Sequence, residues 1–471
     1  MPAITARLTI LLLLFLTTLV RPAGAAGEPV SYSAQAQELL SRGEYQKALE
    51  GLERGVALHP YDLVLRRNLA SAYAQAAQQE LAQGRYAEAA HHFGQARDLA
   101  PGAAELGLMR GVALYLGKEY DAARAELTQA GEGAKPLFFL GRISYDTGDL
   151  PAALALWRRA LELEPGDKNI RGFIEKAERE LPVESKMDKG YSSMFDLSFD
   201  AELPPGLSAE VLDALESAYN SVGADLGLFP TTRIPVLLYA KRDFTSVTAG
   251  PDWSGGLYDG KIRLPVGGVS SITPQMRAIL FHEYTHVLIA ELTGGNVPTW
   301  LNEGLAEIEG RKEYSQPAPH FAKALQEGRL LSLSALSGSF AKMSGMEAGL
   351  AYQQSHSLAE FMVTRYGWYA VQEILQNLGQ RLSIEAAVAK ALSGWSLDLP
   401  GVIREWRESL PAVERRSEHQ VAPPEQQVAP QAEQRSERQA VPPEQPQVVP
   451  SEQPQAVLPE PPQVVPQLEQ P

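Results

Sequence analysis

Between residues 31 and 182 one short pattern occurs four times, and a chain so patterned has few ways to fold. Gly43-x-Tyr45-x-x-Ala48 is followed by Leu52, Gly55 and Pro60, and Arg85-Tyr86-x-x-Ala89 by Phe93, Ala96 and Pro101. Glu119-Tyr120-x-x-Ala123 is followed by Leu127 and Ala130, and Asp149-Leu150-x-x-Ala153 by Trp157, Ala160 and Pro165. The alanines at 48, 89, 123 and 153 are 41, 34 and 30 residues apart. A helical hairpin of that length cannot bury its own apolar face, so successive hairpins must stack on one another. Asp167 to Glu180 reads as one more amphipathic helix capping the stack, and residues 184–189 as a charged linker leading out of it.

This pattern, with small residues where paired helices touch and proline at the exit, resembles the tetratricopeptide repeat. The resemblance implies a groove for a peptide or a partner protein. The residues leave a second reading open, a spacer or rigid arm packed on the neighbouring domain.

Composition narrows what the remainder can do. The chain has 471 residues, a formal net charge of −15 and no cysteine. That charge disfavours nucleic acid or an anionic membrane surface as the main partner. Without thiols there are no disulfides and no thiolate metal sites, so a metal must be held by histidine and carboxylate. At the N-terminus, Arg7 precedes an apolar run from Leu8 to Val20, and Ala23-Gly24-Ala25 follows. This pattern predicts a signal peptide over residues 1–25 and a mature chain exported to the bacterial periplasm, the cell envelope or the medium. The run is shorter than the ~20 residues a bilayer span needs, although an uncleaved anchor is the alternative.

A second domain is expected over residues 190–410. Met194 to Phe199 alternates like a half-buried strand, and Ser208 to Leu226 reads as a helix capped by Ser208. Ile234 to Tyr239 reads as a buried strand, with Pro235 marking an edge or a strand start. Ser254 to Val266 carries Asp259-Gly260 between alternating residues, a hairpin signal. These elements predict a small, largely antiparallel sheet ahead of a helix from Thr273 to about Leu292. Gly294-Gly295 ends that helix, and Pro298 opens the next near Trp300.

That helix carries His282-Glu283-Tyr284-Thr285-His286. Two histidines four apart project from one face of a helix, so both imidazoles reach one Zn²⁺, with Glu283 beside them to take a proton from water. The flanking Ala278, Ile279, Leu280, Val287, Leu288 and Ile289 make the helix apolar. Histidines on such a helix without a ligand would need their polar groups satisfied in some other way. Glu303 follows His286 after sixteen intervening residues, on a returning helix. It completes a two-His, one-Glu set that leaves one tetrahedral position open, as catalytic zinc sites do.

His-Glu-x-x-His followed by Trp300-Leu301-Asn302-Glu303-Gly304-Leu305-Ala306-Glu307 resembles the gluzincin metallopeptidases. More narrowly, Met194 to Leu410 behind these repeats resembles the bacterial peptidase MA-like domains. The resemblance implies an α+β zincin-like fold, one zinc ion on His282, His286 and Glu303, Glu283 as general base, and a protein or peptide substrate. It also implies an oxyanion-stabilising tyrosine at the start of a later helix, where Tyr352 stands, in a helix that continues to Tyr366. His356, one turn on, is the other candidate for that task or else a surface or core histidine. Glu307 reads as an acceptor for a ligand imidazole, Tyr284 and Thr285 as packing residues, and His320 as a loop residue without a role.

Two departures from the gluzincins bear on the reaction. The interval to Glu303 is shorter than in the large zinc aminopeptidases, and the Gly-x-Met-Glu-Asn segment that holds a free amino terminus there is missing. In the corresponding place, Gly256 to Leu264 offers a strand that an extended substrate backbone pairs with, which favours endopeptidase action. Three helical stretches after Tyr366 close the far side of the cleft. Residues 411–471, rich in Pro, Gln and Glu, read as a disordered tail. The alternative to an enzyme is a non-enzymatic adaptor that retains a peptidase-like scaffold.

Overall fold

The computed structural model describes residues 29–411 except 205, 240, 249–255, 267–268 and 341–342. The apolar leader, residues 412–471, and Ser254 and Gly255 of the hairpin reading all lie outside the described residues.

Four helical hairpins and a closing helix come first. The pairs are α1 (Pro29–Ser41) with α2 (Tyr45–Leu58), α3 (Leu63–Ala82) with α4 (Tyr86–Leu99), α5 (Ala104–Leu116) with α6 (Tyr120–Gln129), and α7 (Ala134–Asp146) with α8 (Leu150–Leu163). The closing helix α9 (Lys168–Glu184) starts at Asp167, whose carboxylate accepts from the amides of Asn169 and Ile170. Ala48, Ala89, Ala123 and Ala153 each sit on the second helix of a pair and are wholly buried, as the repeat reading requires. The uneven spacing has a simple origin, because α3 has 20 residues and α6 only 10. Trp157 fills the last pair, its indole N–H donating to the Phe138 carbonyl at 3.0 Å.

The stretch 184–189 is not a linker. Helix α9 runs to Glu184 and strand β1 (Asp188–Tyr191) follows after three residues. Then come β2 (Phe195–Phe199), α10 (Leu207–Leu226), β3 (Ile234–Tyr239), α11 (Lys241–Thr248), β4 (Leu257–Tyr258) and β5 (Ile262–Pro265). The five strands lie in the order β1-β2-β3-β5-β4. The outer pairs β1·β2 and β4·β5 are antiparallel, but β2·β3 and β3·β5 are parallel, so the sheet is mixed rather than largely antiparallel. The physical reason is that α10 is a crossover that returns the chain in the same direction from β2 to β3, while the reversed strand β4 after α11 brings β5 back parallel to β3. Pro235 stands at the start of β3, as expected, but in an interior strand. Helix α10 begins at left-handed Gly206 (φ 91) rather than at a Ser208 cap.

Strand alternation gives the sheet two buried faces. Phe195, Leu197, Val236, Leu238, Ile262 and Leu264 join the main core with α10 and the helix α12 (Pro274–Thr293). On the other face Leu237 and Tyr239 pack with Met187, Phe244 and Val247, beneath α9 and α11. The last repeat helix is therefore also a covering layer of the second domain.

Thr273 caps α12, which ends at Gly294, and α13 (Thr299–Glu313) returns after it. The chain continues through α14 (Pro319–Gln326), α15 (Leu333–Leu336), α16 (Gly345–Gly379), α17 (Ile384–Ala391) and α18 (Leu399–Ser409). Helix α16 is broken at Gly367 (φ 82), so its first part ends at Tyr366. Glycine is required where α13 meets α16, because a Cβ at Gly304 would lie 2.5 Å from the Ser355 carbonyl oxygen. Gly304→Ala must push these helices apart beside Glu303. It is expected to cost about 1–3 kcal/mol in chemical denaturation and to lower metal retention. A variant with unchanged stability and metal content would contradict this packing.

Candidate metal centre

The centre lies where α12 and α13 run side by side. The helical spacing of four brings His282 and His286 to one face, their ring centroids 4.8 Å apart and nearly perpendicular. The Gly-Gly turn and α13 then return Glu303 to that face. Glu303 Oε2 is 3.5 Å from Nε2 of both histidines. One ligand atom from each of the three lies within 4.8 Å of the others, and all three residues are buried. With zinc bonds of about 2.1 Å, a tetrahedral edge is roughly 3.4 Å, close to these separations.

The polar groups around this point fit a cation. Glu303 Oε2, His286 Nε2 and both oxygens of Glu283 are buried with no hydrogen-bond partner among the described residues. Glu283 and Glu303 are each only 1% exposed. Two buried carboxylates with open lone pairs beside two imidazoles match a divalent ion, and a nitrogen and oxygen donor set suits zinc.

Supporting residues orient the imidazoles. Asn302 Oδ1 lies 3.1 Å from His286 Nδ1 and accepts its N–H, which leaves Nε2 facing Glu303. Glu307 Oε1 stands 3.7 Å from His282 Nδ1, on the side where the sequence places an acceptor, and its other oxygen accepts from Arg311 Nε at 3.0 Å. Asn302 has no role in the sequence reading. Its signal is its place beside Glu303 on a helix antiparallel to α12.

Electrostatics tie these groups together. Burial works against a charge on His286, but Glu303 beside it, with Glu283 and Asn302, raises the imidazole to about 9. Burial likewise opposes ionisation of Glu303, yet His286 and His282 hold it at about 2. For Glu283 burial prevails over the two histidines and raises its carboxyl. Gly256 lies against this base, since a Cβ there would be 2.7 Å from Glu283 Oε1.

Tyr352 lies eight residues into α16, not at its start. It is buried, its ring edge-on to Phe340 at 5.4 Å, and its hydroxyl has no hydrogen-bond partner among the described residues. Burial first, then Glu303, Glu307 and Glu283, push the phenol well above its ordinary value, so it stays protonated. His356 is lowered to about 4 by burial and Arg311 and is neutral near pH 7. His320 is not a loop residue. It is in the first turn of α14 and packs against Gly349. Tyr284 packs on Phe195 and Tyr219.

A family model of the peptidase MA superfamily matches residues 218–412, and a tetratricopeptide repeat model matches residues 80–136. No curated protein matches. Among solved structures, a thermophilic TPR protein of Thermus thermophilus is 29% identical, covering 32% of this chain and 81% of its own, with a TM-score of 0.22. The chain carries a peptidase MA superfamily domain behind tetratricopeptide repeats.

Metal uptake by this ligand set must be coupled to protons. Glu303 beside His286 favours the protonated imidazole, so an ion taking Nε2 displaces a proton; uptake near neutral pH should release protons, and affinity should weaken as pH falls. Calorimetry in buffers of different ionisation enthalpy measures this, and uptake without proton release would contradict it. Asn302→Ala should weaken zinc binding by about 10- to 100-fold in a chelator competition.

Proposed function

We propose that this protein is a zinc-dependent endopeptidase acting outside the cytoplasm. The observation that carries the reading is the convergence of His282, His286 and Glu303 on one point, with the unpartnered carboxylate of Glu283 beside it. His282 Nε2, His286 Nε2 and Glu303 would hold the ion. Zinc bound there would act as a Lewis acid on the peptide carbonyl and lower the pKa of water.

The chain's own groups supply the rest. Glu283 takes the proton of the attacking water and passes it to the leaving nitrogen, a general base that becomes a general acid. Tyr352 keeps its proton and donates a hydrogen bond to the carbonyl oxygen as negative charge develops, an effect of about 2.7–4 kcal/mol in comparable sites. Asn302 holds His286 in the tautomer that turns Nε2 towards Glu303, and Glu307 stands where a small approach would let it accept from His282 Nδ1. Strand β4, at the edge of the sheet and next to Gly256, supports pairing with an extended substrate backbone. A substrate held along its backbone is cut internally, which is the ground for endopeptidase action.

Export rests on the apolar run Leu8–Val20 and its small-residue boundary. Among the described residues no helix is long and apolar enough to cross a membrane. The repeats favour a protein partner or substrate.

Glu283→Gln is expected to retain zinc by elemental analysis while losing hydrolysis of an unfolded protein by at least about 10²-fold. Glu303→Ala should lose the metal as well. Wild-type protein should also cut a peptide blocked at its amino terminus, and a chelator should stop it. Zinc-loaded wild-type protein that cleaves nothing would favour the adaptor reading, and release of N-terminal residues alone would replace endopeptidase with aminopeptidase action.

A further inference from the structure

The most heavily charged buried cluster among the described residues lies away from the metal ligands, where α7 and α9 meet the β4–β5 hairpin. At its centre is Arg263 of β5, 1% exposed. Its Nε donates to Asp259 at 3.0 Å. One terminal nitrogen donates to Glu184 at 2.6 Å and to the Tyr239 hydroxyl. The other donates to Glu180 at 2.8 Å and to the Tyr145 hydroxyl at 3.1 Å. These contacts match the five N–H donors of a guanidinium in number. Lys176 pairs with Asp259 at 2.7 Å, and Lys261 with Glu184 at 3.4 Å while lying over the Tyr145 ring at 4.2 Å. Three cations thus face three carboxylates, so their formal charges balance, with Lys176 the one half-buried member at 22% side-chain exposure.

Its members come from two parts of the chain. Tyr145, Lys176, Glu180 and Glu184 belong to the repeat array, whereas Asp259, Lys261 and Arg263 form the hairpin and Tyr239 lies on the adjoining strand. Opposite Arg263 in the ladder is Leu257 of β4, and the residue before it is Gly256, against the Glu283 carboxylate. A continuous path therefore leads from the array through Arg263 and one cross-strand pair to the site. A second contact, Lys118 of the array to Glu291 of α12 at 2.8 Å, ties the array to the helix that bears Glu283.

We infer that the array holds the β4–β5 hairpin as a ligand in cis, and that Tyr145 and Glu180 are thereby positioning residues for the edge strand beside the base. The last repeats are occupied by the chain's own hairpin, and the array sets how β4 is presented to an extended substrate. This deepens the peptidase reading and rests on it for the role of Glu283. The contact between array and hairpin does not.

Hydrogen exchange of the full chain separates the two. In Glu180→Gln and in Tyr145→Phe, amides of residues 256–266 should exchange at least about tenfold faster, with α12, α13 and zinc content unchanged. With an extended peptide, KM should rise about tenfold at nearly constant kcat, the mark of weakened substrate binding. Hairpin exchange equal to wild type, or a uniform acceleration over the whole chain, would overturn the inference. If Glu180→Gln does not fold, Tyr145→Phe, which removes one hydroxyl, decides alone. A wild-type protein without hydrolysis, but with selective loosening of the hairpin in the variants, would sink the peptidase reading and leave the positioning role standing.

Discussion

The second domain is organised around buried charge at the α12–α13 crossing. Glu283 and Glu303 are almost fully removed from water, and carboxylates in that position are costly unless something of opposite sign faces them. Two imidazoles supply part of that compensation, and a dication would supply the remainder. Many features of the fold serve to hold this arrangement. The Gly294 turn sets the two helices antiparallel, Gly304 lets α16 approach α13 closely, and the sheet covers α12. Asn302 then fixes the His286 ring, with Glu307 standing 3.7 Å from His282 Nδ1, so the spacing of donor atoms follows from packing on helices rather than from loops.

Burial recurs with a different solution at the junction with the repeats. There the charges are balanced within the protein, with Arg263, Lys176 and Lys261 set against Asp259, Glu180 and Glu184. Burial opposes ionisation of Asp259, yet Arg263 and Lys176 hold its carboxyl well below the usual range. Among the described residues no lysine or arginine pairs with Glu283 or Glu303, which have the two histidines beside them. That contrast separates a cluster that is neutral within itself from one whose carboxylates an external cation would complete.

Much of this is legible in the sequence, for physical reasons that differ by element. The repeat helices announce themselves because stacking demands small residues at fixed intervals, as at Ala48, Ala89, Ala123 and Ala153. Helix α12 shows because His282 and His286 share its face, and Glu303 because a Gly-Gly turn must send the next helix back. The direction of the strands is not legible, because strand patterns do not encode it; the crossover α10 sets β3 parallel to β2, and the reversal at β4 sets β5 parallel to β3. Residues 184–189 read as a linker because charged residues are usually solvated. Only the fold reveals that Glu184 faces Arg263, 79 positions later. The contacts of Asn302 with His286 and of Gly256 with Glu283 are hidden for the same reason, since they exist only once separate elements meet.

The most direct test is zinc-edge X-ray absorption on the full chain carrying one equivalent of zinc. A four-coordinate nitrogen and oxygen shell at about 2.0–2.1 Å, with multiple scattering from two imidazoles that disappears in a His282→Ala, His286→Ala double variant, is the expected result. An all-oxygen shell without imidazole scattering, or a spectrum the double variant leaves unchanged, would contradict a zinc centre at the crossing of α12 and α13.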